Sequence, residues 1–258
     1  MDKQKIMPLM QLNCFPEQKW KVIDEKKDLD LAMWYEGKVL YINFKGSDSL
    51  KDYFYNLSSL PIQAPYKDMR DKYYVHKGFS KLYHVARDDI HKKFKKEKPK
   101  KIVIIGHSLG GALATLCYAD FMWHKKNVDD YGDVKIVGLA SGCPRVGFKR
   151  GFDNFKKYTK GLTRLTFNSD LIPSVPFKFL GYKHVGEHSH FGDKNWWPLL
   201  PSVIYHHFRE SYLNHLKDGN FKDNNENNKL YILSFAIMIG LNTILGLGII
   251  YLILGLLL

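Results

Sequence analysis

The string that most constrains this chain is Lys101 to Ala114, KIVIIGHSLGGALA. Ile102 to Ile105 are four consecutive β-branched aliphatic residues, a run that reads as a strand buried on both faces. Gly106 and Gly110 then bracket Ser108 in the pattern G-x-S-x-G, and Gly111, Ala112 and Ala114 open an apolar helix whose small side chains let it pack closely on the sheet. A buried strand feeding a sharp turn and such a helix is the setting in which the pattern carries chemistry. The turn leaves the serine hydroxyl exposed at a helix N-terminus, where the dipole and the first amides favour developing negative charge.

Around this string, strands are predicted at 31–35, 39–44, 102–105, 134–139 and 162–167, all short and rich in aliphatic, β-branched or aromatic residues. Helical spacing joins Leu82, Val85, Ala86, Ile90 and Phe94, and further helices are predicted after Ser108 to about His124, from Phe148 to Tyr158 and from Ser202 to Lys217. Strands interleaved with helices predict an α/β fold, a mostly parallel sheet covered on both faces. Residues 1–217 suffice for one domain and leave no room for two large ones. Cys14, Cys117 and Cys143 are odd in number, far apart and without metal-ligand spacing, which favours a reducing compartment and no disulfide framework. The N-terminal stretch has no apolar run of the length a secretory signal needs.

Charge divides the chain unevenly. The 39 Lys and Arg against 26 Asp and Glu give a net charge of +13, and none of these side chains lies beyond Lys229. Leu230 to Leu258 holds 22 hydrophobic residues out of 29, enough to cross a hydrocarbon core of about 30 Å, which takes about 20 apolar residues as a helix. The segment is therefore expected to be a C-terminal transmembrane helix, joined to the body by a polar linker, 218–229. Because Lys217, Lys222 and Lys229 all lie on its N-terminal side, the body is expected to face the cytosol. The lysine-rich run KKFKKEKPKK, Lys92 to Lys101, lacks a recognisable nucleic-acid module. It reads as a solvated helix end drawn toward anionic lipid headgroups, so nucleic acid is not an expected partner.

GHSLGGALA resembles the nucleophile elbow of the fungal-type class 3 lipases, a branch of the α/β-hydrolases, and further segments match in that family's order. VLYINFKGSDSLKDYFYNL, from Val39, is similar to the family's strand, F-R-G-[ST] and D-W-x-x-N-L run, with Lys45 in place of Arg and Tyr53 in place of Trp. VHKGF from Val75, GCPRVG from Gly142 and YKHVG from Tyr182 resemble V-H-x-G-F, G-x-P-R-V-G and H-V-G. The resemblance covers about residues 30–217. It implies an α/β-hydrolase fold, a Ser-His-Asp triad, lipid acyl esters as substrates and no cofactor.

A serine hydroxyl needs a base, and the base needs an acid to fix its tautomer. Ser108 is the nucleophile. Asp170, in FNSDLIPSVP just past the strand 162–167, resembles the family's acid loop and follows Ser108 in the order Ser, Asp, His. Asp129, Asp130 and Asp133 fit that order less well. Of 11 histidines, His207 in HFRESYL matches the family's H-S-x-x-x-Y-L, with His206 and His215 as the alternatives. His184 matches the family's H-V-G and reads as structural, and with His188 and His190 it lacks the helix or the further ligands a metal site needs. The oxyanion donors are the Leu109 amide and, by resemblance, Ser47; 48–57 corresponds to a short lid. Glyceride hydrolysis is the expected activity, with phospholipase A1 or small-ester hydrolysis as the alternative and an inactive membrane adaptor as the non-enzymatic one.

Overall fold

The computed structural model describes residues 3–13, 21–24, 29–45, 60–64, 71–168, 170–192, 207 and 209–217, all within one compact unit, Met1–Asn224. The candidate lid, Ser47, the linker and the apolar tail lie outside the described residues. Among the described residues no helix is long and apolar enough to cross a membrane.

In chain order the elements are α1 (Lys3–Asn13), β1 (Lys21–Asp24), β2 (Leu29–Glu36), β3 (Val39–Phe44), β4 (Pro61–Gln63), β5 (Tyr74–His76), α2 (Lys77–Glu97), β6 (Lys101–His107) and α3 (Leu109–Asn127). They continue with β7 (Lys135–Ser141), β8 (Gly147–Phe148), α4 (Phe152–Tyr158), β9 (Leu162–Phe167), β10 (Tyr182–Lys183), β11 (Glu187–Phe191) and α5 (Arg209–Lys217). A seven-stranded sheet runs β1-β2-β3-β6-β7-β9-β11. Its β1/β2 and β2/β3 pairings are antiparallel, and all those from β3 onward are parallel. A small antiparallel sheet, β10-β8-β5-β4, stands beside it. This is the mixed, mostly parallel α/β architecture that the sequence predicts.

The apolar strands are covered on both faces. Val103, Ile105, Leu139, Leu165, Phe167 and Phe191 form one core with Ile6 and Met10 of α1 and Tyr212 and Leu216 of α5. Alternation turns Ile104 and its register partner Gly138 the other way, and there a Cβ on Gly138 would lie 2.6 Å from Tyr118 of α3. α3 therefore lies close over the sheet because Gly138 leaves it room.

One expectation is corrected. The helix expected from Phe148 begins at Phe152, because Gly147–Phe148 pair with β10 and β5 while Gly151, at φ +70°, makes the turn into the helix. The segment around His188 and His190 is a parallel edge strand with its own place in the main sheet.

Candidate active site

Parallel strands deliver their carboxyl ends to one edge of the sheet, and α/β proteins build their sites there. β6 ends at His107, and Ser108 follows at φ +56° and ψ −124°, a region ordinary residues avoid. Its amide donates to the Ser141 carbonyl at the end of β7 (2.9 Å), which ties the turn to the neighbouring strand. The two motif glycines are there for space. A Cβ on Gly106 would sit 2.1 Å from the Gly110 carbonyl oxygen, and one on Gly110 would sit 2.3 Å from that of Phe44. Strand, turn and helix can cross this closely only without side chains.

Asp170 stands just past the end of β9, and His207 precedes α5, which packs across the sheet from the elbow's helix. The structure brings the three together. His207 Nδ1 lies 2.9 and 3.0 Å from the two carboxylate oxygens of Asp170, and its Nε2 lies 2.7 Å from Ser108 Oγ. With Nδ1–H donating to the carboxylate, Nε2 is left as the acceptor of the serine proton. Ser108, Asp170 and His207 are all buried. Of the competing histidines, His215 lies on α5 with its side chain outside the described residues, and His206 lies outside them altogether. His184 bonds the Pro173 carbonyl (2.6 Å), while His188 and His190 flank the Thr166 hydroxyl, each at 2.8 Å, so these three take structural positions.

Three further groups hold the triad. The Ile172 amide donates to Asp170 Oδ1 (2.9 Å) and the Tyr212 hydroxyl donates to Oδ2 (2.5 Å). Burial, then the Asp170 charge, push the Tyr212 phenol well above its ordinary pKa, so it stays a donor. His107 Nε2 donates to the backbone carbonyl of His207 (2.6 Å), with its Nδ1 3.0 Å from Ser141 Oγ. The motif position of His107 and the tyrosine of HFRESYL are visible in the sequence, but their contacts are tertiary.

Leu109 is the first residue of α3, and the first amides of a helix have no acceptor within it. That is the geometry an oxyanion donor requires. The second expected donor, Ser47, lies outside the described residues; before it, Lys45 pairs with Asp30 (3.1 Å) at the end of β3, against Gly110. The arrangement can therefore deprotonate an alcohol and stabilise charge beside it.

The family model of class 3 lipases matches residues 41–180. The lipase of Rhizomucor miehei is 30% identical over 173 residues, which is 65% of this chain and 46% of that protein. A rice phospholipase A1 is 30% identical over 132 residues, 43% of this chain and 32% of its own length. The chain thus spans less than half the length of these curated relatives. The crystal structure of the Rhizomucor miehei triacylglyceride lipase superposes with a TM-score of 0.55 at 26% identity, covering 69% of this chain and 68% of that one.

Proposed function

The chain belongs to the class 3 lipase family, and from that premise we propose that it is a serine hydrolase of lipid acyl esters, glycerides first among them. The observation that carries the proposal is the continuous relay from Asp170 through His207 to Ser108, with contacts of 2.9 and 2.7 Å. Ser108 attacks the acyl carbonyl as His207 takes its proton. Asp170 holds the imidazole in the productive tautomer and offsets the charge it gains. The Leu109 amide, with Ser47 by resemblance, receives the oxyanion; one such donor contributes about 2.7 to 4 kcal/mol. His207 then returns the proton to the leaving alcohol, and water activated by the same imidazole frees the acid. No step calls for a cofactor.

The glyceride reading rests on the likeness to the Rhizomucor lipase, while the likeness to a rice phospholipase A1 favours a second reading in which the ester belongs to a phospholipid. Residues 230–258, uncharged and largely apolar, would serve as a membrane anchor beyond the linker 218–229 and hold the body of 1–217 beside such substrates. A fluorophosphonate probe tests the chemistry: wild type should be labelled and Ser108→Ala should not, with ester turnover reduced about 10⁴-fold or more. Folded wild type that takes no label is an inactive adaptor. Profiling the acids released from membranes by wild type and Ser108→Ala then separates glyceride from phospholipid hydrolysis.

A further inference from the structure

Arg164 lies in the middle of β9, in register with Ala140 of β7 and His188 of β11. Two residues beyond Leu162, the register partner of Gly138, it faces the side of the sheet that α3 covers. Only 9% of its surface is open, and its Nε is sealed from solvent with no acceptor. A buried guanidinium is ordinarily paired, because an unpaired buried charge is costly. Among the described residues no carboxylate pairs with Arg164.

Its surroundings add a second positive charge, that of Arg145. The Gly142 amide bonds the Leu165 carbonyl (3.0 Å), so the turn carrying Cys143 and Arg145 begins beside Arg164. Arg145 spends its Nη1 on the carbonyls of Ser174 and Pro176, and His184 spends its Nε2 on that of Pro173. Arg145 and His184 thus grip the loop that carries Asp170, within electrostatic reach of Arg164. Desolvation brings both guanidinium groups down to about 10. Burial, then the charges of Arg164 and Arg145, push His184 well below its usual range, so it is neutral near pH 7. The groups with acidic protons that act on Arg164 are the Cys143 thiol and the Tyr212 phenol, and burial keeps both protonated.

We propose that Arg164, with Arg145, forms an anion site that takes a phosphate group, either inorganic phosphate or the phosphomonoester headgroup of an acidic lipid. Two guanidinium groups from different segments match a tetrahedral dianion in charge and in number of donors, as a single carboxylate does not. Arg145 and His184 already grip the 173–176 carbonyls, so an anion here would brace the acid loop from below. The site does not depend on the proposed hydrolase activity.

Thermal unfolding of the full chain in neutral detergent micelles tests it, with chloride or inorganic phosphate at equal ionic strength, and with phosphatidic acid in the micelles as a separate arm. Wild type should gain about 3 °C or more from one phosphate source. A gain with inorganic phosphate identifies the free anion; a gain only with phosphatidic acid identifies the headgroup. Arg164→Gln should lose the gain. Should that variant not fold, His188→Glu serves instead: it sets a carboxylate in register beside Arg164, and should unfold later than wild type in chloride and ignore phosphate. Wild type that responds to neither source, or an Arg164→Gln or His188→Glu variant that keeps the response, overturns the site.

Discussion

Asp170 accepts from His207, from the Ile172 amide and from the Tyr212 hydroxyl, so the acid of the triad is held on three sides. The Tyr212 bond matters because it fixes which way the carboxylate faces while the imidazole gains and loses a proton. A hydrogen bond to a charged group contributes about 1.5 to 3 kcal/mol. Tyr212→Phe keeps the ring that packs edge-on against Phe167, Phe191 and His107 and removes only the donor. We expect kcat on a soluble ester to fall about tenfold with KM changed by less than about twofold, since the bond serves the charged transition state more than substrate binding. A parallel rise in KM would instead mean that the loop had moved. His107 acts on the same unit from the other side: through the His207 carbonyl it fixes the backbone that carries the base.

At the scale of elements, α2 and α3 are joined by one buried carboxylate. Asp120 accepts from Tyr83 (2.7 Å), Arg87 Nε (2.7 Å), His91 Nε2 (2.8 Å) and His124 Nδ1 (2.9 Å). Burial would raise its pKa, but the hydrogen bonds from His124 and His91, with the charge of Arg87, outweigh it and hold the carboxyl far below the usual range. Asp120→Asn removes the buried counter-charge of Arg87, leaving it the exposed Asp88 (3.6 Å), and should cost about 3 kcal/mol in a urea melt. The sign of the pH dependence follows from the shifts. A depressed carboxylate stabilises fully above its unfolded pKa of about 4, and this is lost as pH falls toward the lower folded value. His91, lowered mainly by burial, stays neutral in the fold while the unfolded chain takes up a proton below the ordinary imidazole value of 6.5. The wild-type urea midpoint should therefore fall from pH 7 to 5 and fall further below pH 4, the second step being smaller in Asp120→Asn, where Asp71 still contributes to it. What the sequence discloses differs between elements in the same physical terms. β3, β6 and β9 and the elbow helix are legible because their aliphatic and β-branched residues come in short runs bounded by turn residues. β11, written EHSHF, is an edge strand whose polar side chains carry no apolar period, and β4, β5, β8 and β10 are only two or three residues long. Ser108, Asp170 and His207 were legible through motifs and their order, whereas Arg164 and the Asp120 network exist only once distant segments meet.

For the whole molecule, the question is where the excess positive charge acts. All of it belongs to residues up to Lys229, and part is neutralised locally: Lys93 pairs with Glu97 (3.6 Å) and Lys95 with Asp130 (3.5 Å). Lys92, Lys96, Lys98 and Lys100 remain exposed around the end of α2, where each contributes about 1 kcal/mol near an anionic leaflet, falling off within a Debye length. If 230–258 spans a bilayer, the lysines that precede it orient the body toward the cytosol, since positive residues flanking a span are retained on that side. Intact, cytosolic-side-out vesicles carrying the full chain separate the possibilities. Protease added outside should remove the body while a short apolar fragment stays with the membrane. Alkaline carbonate should fail to extract the chain, whereas a body held by lysines alone would leave the membrane in high salt. Complete protection from the protease would place the body in the lumen, and release by carbonate would mean that 230–258 does not span.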